Sequence, residues 1–232
     1  METLGNQGFF IMIKHWIFDL DGTLLDTAPD LARAIQDTLL SFKLPTVTLE
    51  ETKTFIGGGA KQFVKAALKG KGDDPVFFET FFKAYMIRYE AYQLAHARIY
   101  PGIQDVLTYI QKQKINAYVF SNKPHALTLQ LIQHVFPNVF KGVHGHIPET
   151  LPKPDRTMFD AFANLHHLDL KSAVMIGDAP PDILFARKLG IPCIALSYGY
   201  TDIKVLKEHQ PDLLISSAFD IIPSVKTLEK RR

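Results

Sequence analysis

The sequence predicts an α/β protein, with a Rossmann-like parallel-sheet core and a helical segment inserted after the first strand. Two observations predict this fold. From about residue 100 onward, short runs of β-branched and aromatic residues alternate with amphipathic stretches, as in βαβ units. Residues 26–98 instead show helical spacing and no convincing strand. We therefore expect an α/β core over residues 1–25 and 99–232 and a helical domain over residues 26–98.

The elements of the predicted core follow one another along the chain. The apolar runs that predict strands are His15–Leu20, Asn116–Ser121, Ser172–Gly177, Pro192–Ser197 and Leu213–Ser217. The amphipathic stretches that predict helices are Ile103–Gln113, Ala126–Val135, Thr157–His166 and Asp182–Leu189. Because ligands bind beyond the carboxyl ends of strands in open α/β sheets, residues that follow these runs are the first candidates for a site.

Capping signals and aromatic spacing define the helices of the inserted segment. Thr27 with Asp30, and Thr48 with Glu51, form two candidate capping boxes. Pro75 opens a longer helix. Its aromatic residues recur at helical spacing and predict packing between helices. They are Phe78, Phe81, Phe82, Tyr85, Tyr89 and Tyr92.

Composition and charge exclude several classes of protein. The 232 residues are 47% hydrophobic and 22% charged, which is typical of a chain that buries a core and not of a disordered one. A net charge of +2 predicts neither a nucleic-acid nor a membrane-surface partner. The single cysteine, Cys193, excludes an internal disulfide and suits the cytoplasm. No apolar run reaches the roughly 18 residues that cross a bilayer, and the first 14 residues lack the features of a signal peptide, with Met12 as an alternative start.

Two carboxylates follow the first predicted strand. Asp19 and Asp21 are two residues apart, so they share a face of an extended chain. Gly22 then allows the chain to turn away. Such a pair either caps a turn or invites a divalent cation such as Mg²⁺, which prefers oxygen ligands. The pair by itself leaves both interpretations open.

Three later segments carry further polar groups. Ser121 and Asn122 end the second predicted strand, where a hydroxyl and a backbone N–H can hold a phosphoryl oxygen. Lys153 can neutralise a phosphate as a point charge. Asp178 follows another strand and can complete a cation site with the first carboxylates, while Asp182 can orient a water or the Lys153 ammonium. Each group also has an ordinary structural role, but their concentration on one sheet edge indicates phosphate chemistry.

These four motifs resemble, in order, those of the haloacid dehalogenase superfamily of phosphohydrolases. The family pattern is DxDGT, a Ser or Thr at a strand end, a Lys, and Gly-Asp-x-x-x-Asp, and the inserted helical segment looks like the family's cap. Within the superfamily, the segments FDLDGTLLDTAPDLARAI, FIGGGAKQFV, SNKP and SYGYTD resemble one branch, the phosphoglycolate phosphatases. The resemblance implies a Mg²⁺-dependent phosphatase acting on a small phosphorylated metabolite, 2-phosphoglycolate.

The resemblance also implies a role for each motif residue. Asp19 would be the nucleophile that forms an aspartyl-phosphate, and Asp21 would act as general acid and then as general base. Mg²⁺ would be held by Asp19, the Asp21 carbonyl and Asp178, with Asp182 supporting the site. Three groups would hold the phosphoryl oxygens: Ser121, Asn122 and Lys153.

Other residues are weaker candidates. A loop of the inserted segment can approach a ligand or serve as a plain flexible turn: Gly57, Gly58 and Gly59. Lys61 can meet a substrate carboxylate or be an ordinary exposed lysine. His144 and His146 lie in a strand-to-loop segment near the expected site, but no Cys or acid completes a metal-ligand set around them.

Two other kinds of function stay open. The same scaffold can support a sugar-phosphate mutase or a pyrophosphatase, which a product assay distinguishes from a monoesterase. A non-catalytic binding module of this fold is the third alternative, and the intact acidic motifs argue against it. Oligomeric state is not readable from the sequence.

Overall fold

The computed structural model describes residues 12–230 and has the expected α/β fold. Its strands are β1 (His15–Phe18), β2 (Leu25–Asp26), β3 (Arg98–Ile99), β4 (Asn116–Pro124), β5 (Gly142–His146), β6 (Ala173–Gly177), β7 (Cys193–Leu196) and β8 (Leu213–Ile215). Six of them form one parallel sheet in the order β5-β4-β1-β6-β7-β8. The predicted core strands therefore pair as the βαβ pattern requires.

Helices surround this sheet and fill the inserted segment. They are α1 (Ala28–Ser41), α2 (Leu49–Phe55), α3 (Ala60–Leu68), α4 (Pro75–Tyr92), α5 (Ile103–Gln113), α6 (His125–Val135), α7 (Thr157–Leu165), α8 (Pro180–Leu189), α9 (Ile203–Glu208) and α10 (Ile221–Glu229). None of the helices in residues 12–230 has the length and apolarity to cross a membrane.

The central strand β1 is buried on both faces. Trp16 and Phe18 join a hydrophobic cluster on one face of the sheet, and Ile17 joins a second cluster on the other face. Neighbouring strands hold β1 in register, because Phe18 pairs with Val119 of β4 and with Ile176 of β6. This burial explains the apolar run from Trp16 to Phe18, and it fixes where the next residue emerges at the sheet edge.

The helical segment has a hydrophobic cluster built mainly from α1, α3 and α4, which Leu127 of α6 also joins. One predicted capping box is confirmed: Glu51 N–H donates to Thr48 Oγ1 at 3.1 Å, and Thr48 N–H donates to Glu51 Oε2 at 2.8 Å. The Thr27–Asp30 box is wrong. Thr27 Oγ1 donates to Asp21 instead, and Asp30 accepts from His96, so tertiary partners replace the local cap.

The inserted segment begins and ends at a small antiparallel pair that the sequence did not predict. Leu25 pairs with Ile99, and Asp26 pairs with Arg98. Two-residue strands carry no periodic pattern, which is why the sequence predicts no strand within residues 26–98. The sequence likewise predicts β5 only as part of a strand-to-loop segment, because its two glycines have weak strand propensity. The division into two domains stays a prediction, and residues 1–11 and 231–232 of the predicted core lie outside the described residues.

Candidate active site

The carboxyl ends of β1, β4 and β6 bring the predicted site residues together. Asp19 follows β1 directly, and its N–H donates to Ile176 O at 2.9 Å. Ser121 and Asn122 belong to β4, which continues to Pro124. Asp178 follows β6 and is 2% exposed. The site is therefore a buried polar cluster at the edge where the sheet's strands end.

Lys153 links the nucleophile candidate to the last acidic motif. Its Nζ lies 2.6 Å from Asp182 Oδ1, 3.2 Å from Asp19 Oδ1 and 2.8 Å from Phe120 O. Burial lowers the pKa of Lys153, but Asp182 and Asp19 more than offset this effect, and the pKa lies above its usual 10.5. The ammonium is therefore charged and already positioned between two carboxylates.

Three carboxylates form an acidic cluster in which one oxygen of each lies within 4.8 Å of one oxygen of the other two: Asp19, Asp178 and Asp182. Burial, and then Asp19 and Asp182, raise the pKa of Asp178 well above its usual range. Thr23 Oγ1 and Tyr200 N–H nevertheless donate to Asp178, at 2.8 Å and 2.9 Å. A divalent cation would relieve this repulsion.

The surroundings of the cluster fit such an ion. Asp182 is already engaged, by Lys153 on one oxygen and by Ala179 N–H on the other. Asp178 accepts only from a neutral hydroxyl and a backbone N–H, and the contacts of Asp19 are on Oδ1, so Asp19 and Asp178 are the carboxylates better placed for a metal. A side chain at Gly22 or Gly199 would overlap Asp178, so two glycines keep room around this carboxylate.

The carboxylate of Asp21 is held by residues outside the four motifs. Its Oδ1 accepts from Thr27 Oγ1 at 2.7 Å and from Lys123 Nζ at 3.1 Å. Lys123 also donates to the hydroxyl of Tyr89 and lies 4.5 Å from the centroid of its ring. Sequence reasoning missed Lys123, although it stands in the quoted SNKP segment, because its partners are distant in the chain.

A narrow cavity of about 40 Å³ separates this cluster from the helical segment. Its walls combine sheet-edge residues with residues of the inserted helices, including Asp19, Asp21, Phe63, Tyr85, Tyr89 and Lys123. The packing interpretation of the aromatic stripe is therefore incomplete. Phe78 and Phe81 pack in the helical core, whereas Tyr85 and Tyr89 also face the cavity.

The glycine loop lies at the edge of the cavity. Gly57 and Gly59 line it, with φ of 117° and 88°, values that L side chains rarely adopt. Gly57 O accepts from Asn122 Nδ2 at 2.8 Å, which ties the loop to β4. Gly58 is not among the lining residues, and Lys61 is exposed and does not line the cavity either.

The histidines of β5 lie beside the site and not in a metal centre. Among residues 12–230, the only ligand cluster with metal spacing is the acidic one. His144 stacks on Phe120, with ring centroids 5.2 Å apart, and its Nε2 is buried without a hydrogen-bond partner in that part of the chain. Burial, followed by His125 and His146, lowers the pKa of His144 to about 4.

The lowered pKa of His144 makes the stability of the fold depend on pH. Between pH 6.5 and 4, the unfolded chain gains a proton on His144 that the folded chain does not take up, so stability falls as pH falls. Between pH 7 and pH 4.5 the free energy of unfolding should fall less in His144→Phe than in the wild type, by roughly 1–2 kcal/mol. This figure is reduced because the His144 ring is partly exposed. Urea unfolding at pH 7 and pH 4.5 measures it, with the exposed His134→Phe as control. Equal pH slopes for the two variants would contradict the assignment.

Comparison with known proteins agrees with this geometry. The family model described as haloacid dehalogenase-like hydrolase matches residues 16–196. The chain is 32% identical over 213 residues to phosphoglycolate phosphatase 1 of Pseudomonas aeruginosa, covering 89% of this chain and 78% of that protein. It is 33% identical over 216 residues to a phosphoglycolate phosphatase of Pseudomonas fluorescens, with the same coverage.

A solved structure supports the fold independently. A haloacid dehalogenase-like family hydrolase from Streptococcus pneumoniae superposes with a TM-score of 0.81 over 91% of this chain and 98% of that chain. The two sequences are only 23% identical, so this likeness concerns the fold alone. The matched motifs, the buried acidic cluster and the extent of the family match lead to one assignment. The chain belongs to the haloacid dehalogenase-like hydrolase family.

Proposed function

We propose that this hydrolase is a Mg²⁺-dependent phosphatase that cleaves 2-phosphoglycolate through an aspartyl-phosphate at Asp19. The observation that carries the proposal is the position of Asp19, which is buried between a charged lysine and an acidic cluster and faces a narrow cavity. The substrate is supported by the relatives named phosphoglycolate phosphatase, at 32% and 33% identity.

Asp19 is oriented through one of its two oxygens. Leu20 N–H donates to Oδ1 at 2.7 Å, and Lys153 Nζ lies 3.2 Å from the same atom. In our proposal Oδ2 attacks phosphorus, the new O–P bond forms, and the bond from phosphorus to the ester oxygen breaks. Asp21, in its protonated form, gives its proton to the departing alkoxide.

The second half of the reaction releases the phosphate. Asp21 is then a carboxylate, and it takes a proton from the water that attacks the aspartyl-phosphate. The hydroxyl of Thr27 and the ammonium of Lys123 hold this carboxylate in place through both half-reactions. Inorganic phosphate leaves and the Asp19 carboxylate is restored.

The phosphoryl oxygens need donors at the sheet edge. Ser121 Oγ accepts from Lys123 N–H at 3.3 Å, so its own O–H is available to a ligand. The Asn122 N–H and the Lys153 ammonium complete the set of donors. The side chain of Asn122 supports Lys153, since Lys153 N–H donates to Asn122 Oδ1 at 2.7 Å.

The charges of the site call for a divalent cation. Four carboxylates face two lysines, Lys123 and Lys153. Asp19 and Asp178 would hold Mg²⁺, and the family resemblance adds the Asp21 carbonyl. When bound, the ion offsets the repulsion between the nucleophile and the phosphate.

We also propose that residues 26–98 act as a cap. The helices α1, α3 and α4 supply the wall of the cavity that faces the sheet edge, from Leu31 through Phe63 to Tyr89. A wall of this kind excludes bulk water from the phosphoryl-transfer site. In this proposal the cap closes over a bound substrate, and the loop of Gly57, Gly58 and Gly59 moves with the cap.

The direct test is phosphate release from a panel of esters with and without metal. We expect 2-phosphoglycolate to be preferred over sugar phosphates and pyrophosphate in the presence of Mg²⁺. EDTA is expected to reduce release to background, because removing the ion takes away several kcal/mol of charge stabilisation. Release that persists in EDTA would refute the metal requirement. Preference for pyrophosphate, or phosphoryl return to a sugar without release, would refute the monoesterase.

A further inference from the structure

Three side chains near Asp21 bind no phosphoryl oxygen in the proposed hydrolysis: Lys123, Tyr85 and Tyr89. Lys123 is 4% exposed, and its ammonium contacts Asp21 Oδ1 and the hydroxyl of Tyr89. Tyr85 stacks on Tyr89, with ring centroids 5.5 Å apart. All three side chains line the cavity. A buried cation that faces an open space can bind a ligand anion as well as hold Asp21.

The hydroxyl of Tyr85 is the unsatisfied group of this set. It is fully buried and has no hydrogen-bond partner among residues 12–230. Burial and the nearby Asp21 raise the pKa of Tyr85 well above its usual value, so the phenol keeps its proton and is a donor. A buried donor without an acceptor is destabilising, because it has lost its hydrogen bonds to water. A ligand acceptor in the cavity would remove that cost.

The rest of the wall restricts what this acceptor can be. Leu31, Ile56 and Phe63 line the cavity with apolar surface, which strengthens a charge interaction and suits a short carbon chain. The cavity volume of about 40 Å³ has room for about three waters, since one water needs about 10–15 Å³ on this measure. A compact anion fits this description better than a sugar or a second phosphate.

We infer that Lys123, Tyr85 and Tyr89 form a carboxylate subsite, which selects phosphate esters whose esterified carbon bears a carboxylate. The inference rests on the proposed function, because the position of the subsite follows from the role of Asp21 as the acid that protonates the ester oxygen. If Asp21 protonates the ester oxygen, a carboxylate one carbon away reaches the group next to Asp21. That group is Lys123, whose Nζ lies 3.1 Å from Asp21 Oδ1. Lys61, the other candidate for this role, is exposed and outside the cavity.

The test compares 2-phosphoglycolate with ethyl phosphate, in which a methyl group replaces the carboxylate. The readout is the ratio of the two kcat/KM values. We expect Lys123→Met to lower this ratio by roughly 10²-fold, since a site built to bind a polar group discriminates strongly. Tyr85→Phe removes only an unpartnered hydroxyl and should lower the ratio by about 10-fold. Lys83→Met, an exposed lysine on the same helix as Tyr85, is the matched control.

A binding measurement separates this inference from the proposed function. Calorimetry on the Asp19→Asn protein, with and without Lys123→Met, gives the affinity for 2-phosphoglycolate without turnover. An unchanged kcat/KM ratio in both Lys123→Met and Tyr85→Phe would overturn the subsite and leave the phosphatase standing. If the ratio falls in Lys61→Met and not in Lys123→Met, the carboxylate is bound by Lys61 and the proposed subsite is wrong. If the wild type hydrolyses neither ester, the proposed function fails, and the calorimetry still decides whether Lys123 binds the carboxylate.

Discussion

Replacing Lys153 with methionine is expected to lower the free energy of unfolding by about 3–5 kcal/mol. The ammonium lies 2.6 Å from Asp182 and 3.2 Å from Asp19, and the side chains of Lys153 and Asp182 are each 1% exposed. Without it, two buried carboxylates face each other and Asp178 with no positive charge between them. The cost comes from the unpaired carboxylates and not from the lost methylene packing, because methionine fills most of the same space.

A double-mutant cycle tests this explanation. Asp182→Leu combined with Lys153→Met removes both buried charges, and the pair should be clearly more stable than the sum of the single variants predicts. Lys112→Met, at the exposed end of α5, controls for the loss of a lysine as such. The measurement is urea unfolding at neutral pH without added metal. A Lys153→Met protein that unfolds within about 0.5 kcal/mol of the wild type would contradict the account.

The placement of the main motifs was predictable from the sequence because it depends on short-range patterns. The five predicted core strands are short apolar runs, and a parallel sheet carries all carboxyl ends of its strands to one edge. Asp19, Ser121 and Asp178 follow such runs, so their meeting followed from the fold class alone. The pairing of Lys153 with Asp182 is one of the two roles that the sequence predicts for Asp182, whereas the contacts of Lys153 with Asp19 and Phe120 O depend on a loop that no pattern describes.

The surroundings of Asp21 were not predictable in this way. Lys123 is 102 residues from Asp21 in the sequence and 34 residues from Tyr89. The apolar run of β4 ends before Ser121, and nothing local indicates that the strand continues to Pro124. The tyrosines of α4 satisfy a helical packing pattern whether or not their hydroxyls face a cavity. Periodicity reports which side of a helix is buried, but not what lies opposite.

Tertiary contacts also override the local helix-capping rules at the start of the inserted segment. Thr27 and Asp30 match a capping box, but Thr27 Oγ1 donates to Asp21, and Asp30 is bound by the N–H and ring of His96. Tyr200 Oη accepts from Thr27 N–H at 2.7 Å, in place of a side-chain cap. A helix terminus beside an active site is therefore capped by residues that the site needs for other reasons.

Replacing Asp19 with asparagine is expected to lower kcat for 2-phosphoglycolate by roughly 10⁴-fold or more, because it removes the proposed nucleophile. The amide has nearly the same shape, so Leu20 N–H retains an acceptor at this position. Asparagine also removes one charge from the acidic cluster, and Asp19 is a main cause, after burial, of the raised pKa of Asp178. We therefore expect the thermal stability of the metal-free variant to match or exceed that of the wild type while turnover disappears.

Comparison with Asp21→Asn identifies the step at which each carboxylate acts. With p-nitrophenyl phosphate, whose leaving group needs little protonation, that variant keeps the proposed nucleophile but has no base for the attacking water, so it should accumulate phosphoryl-Asp19 after rapid quenching. Asp19→Asn should accumulate none. Mass spectrometry of the peptide that contains residue 19 measures the phosphoryl group directly. A phosphorylated residue other than Asp19, or near-normal turnover by Asp19→Asn, would refute covalent catalysis at this position. Loss of turnover together with loss of stability would instead indicate that Asp19 mainly neutralises Lys153.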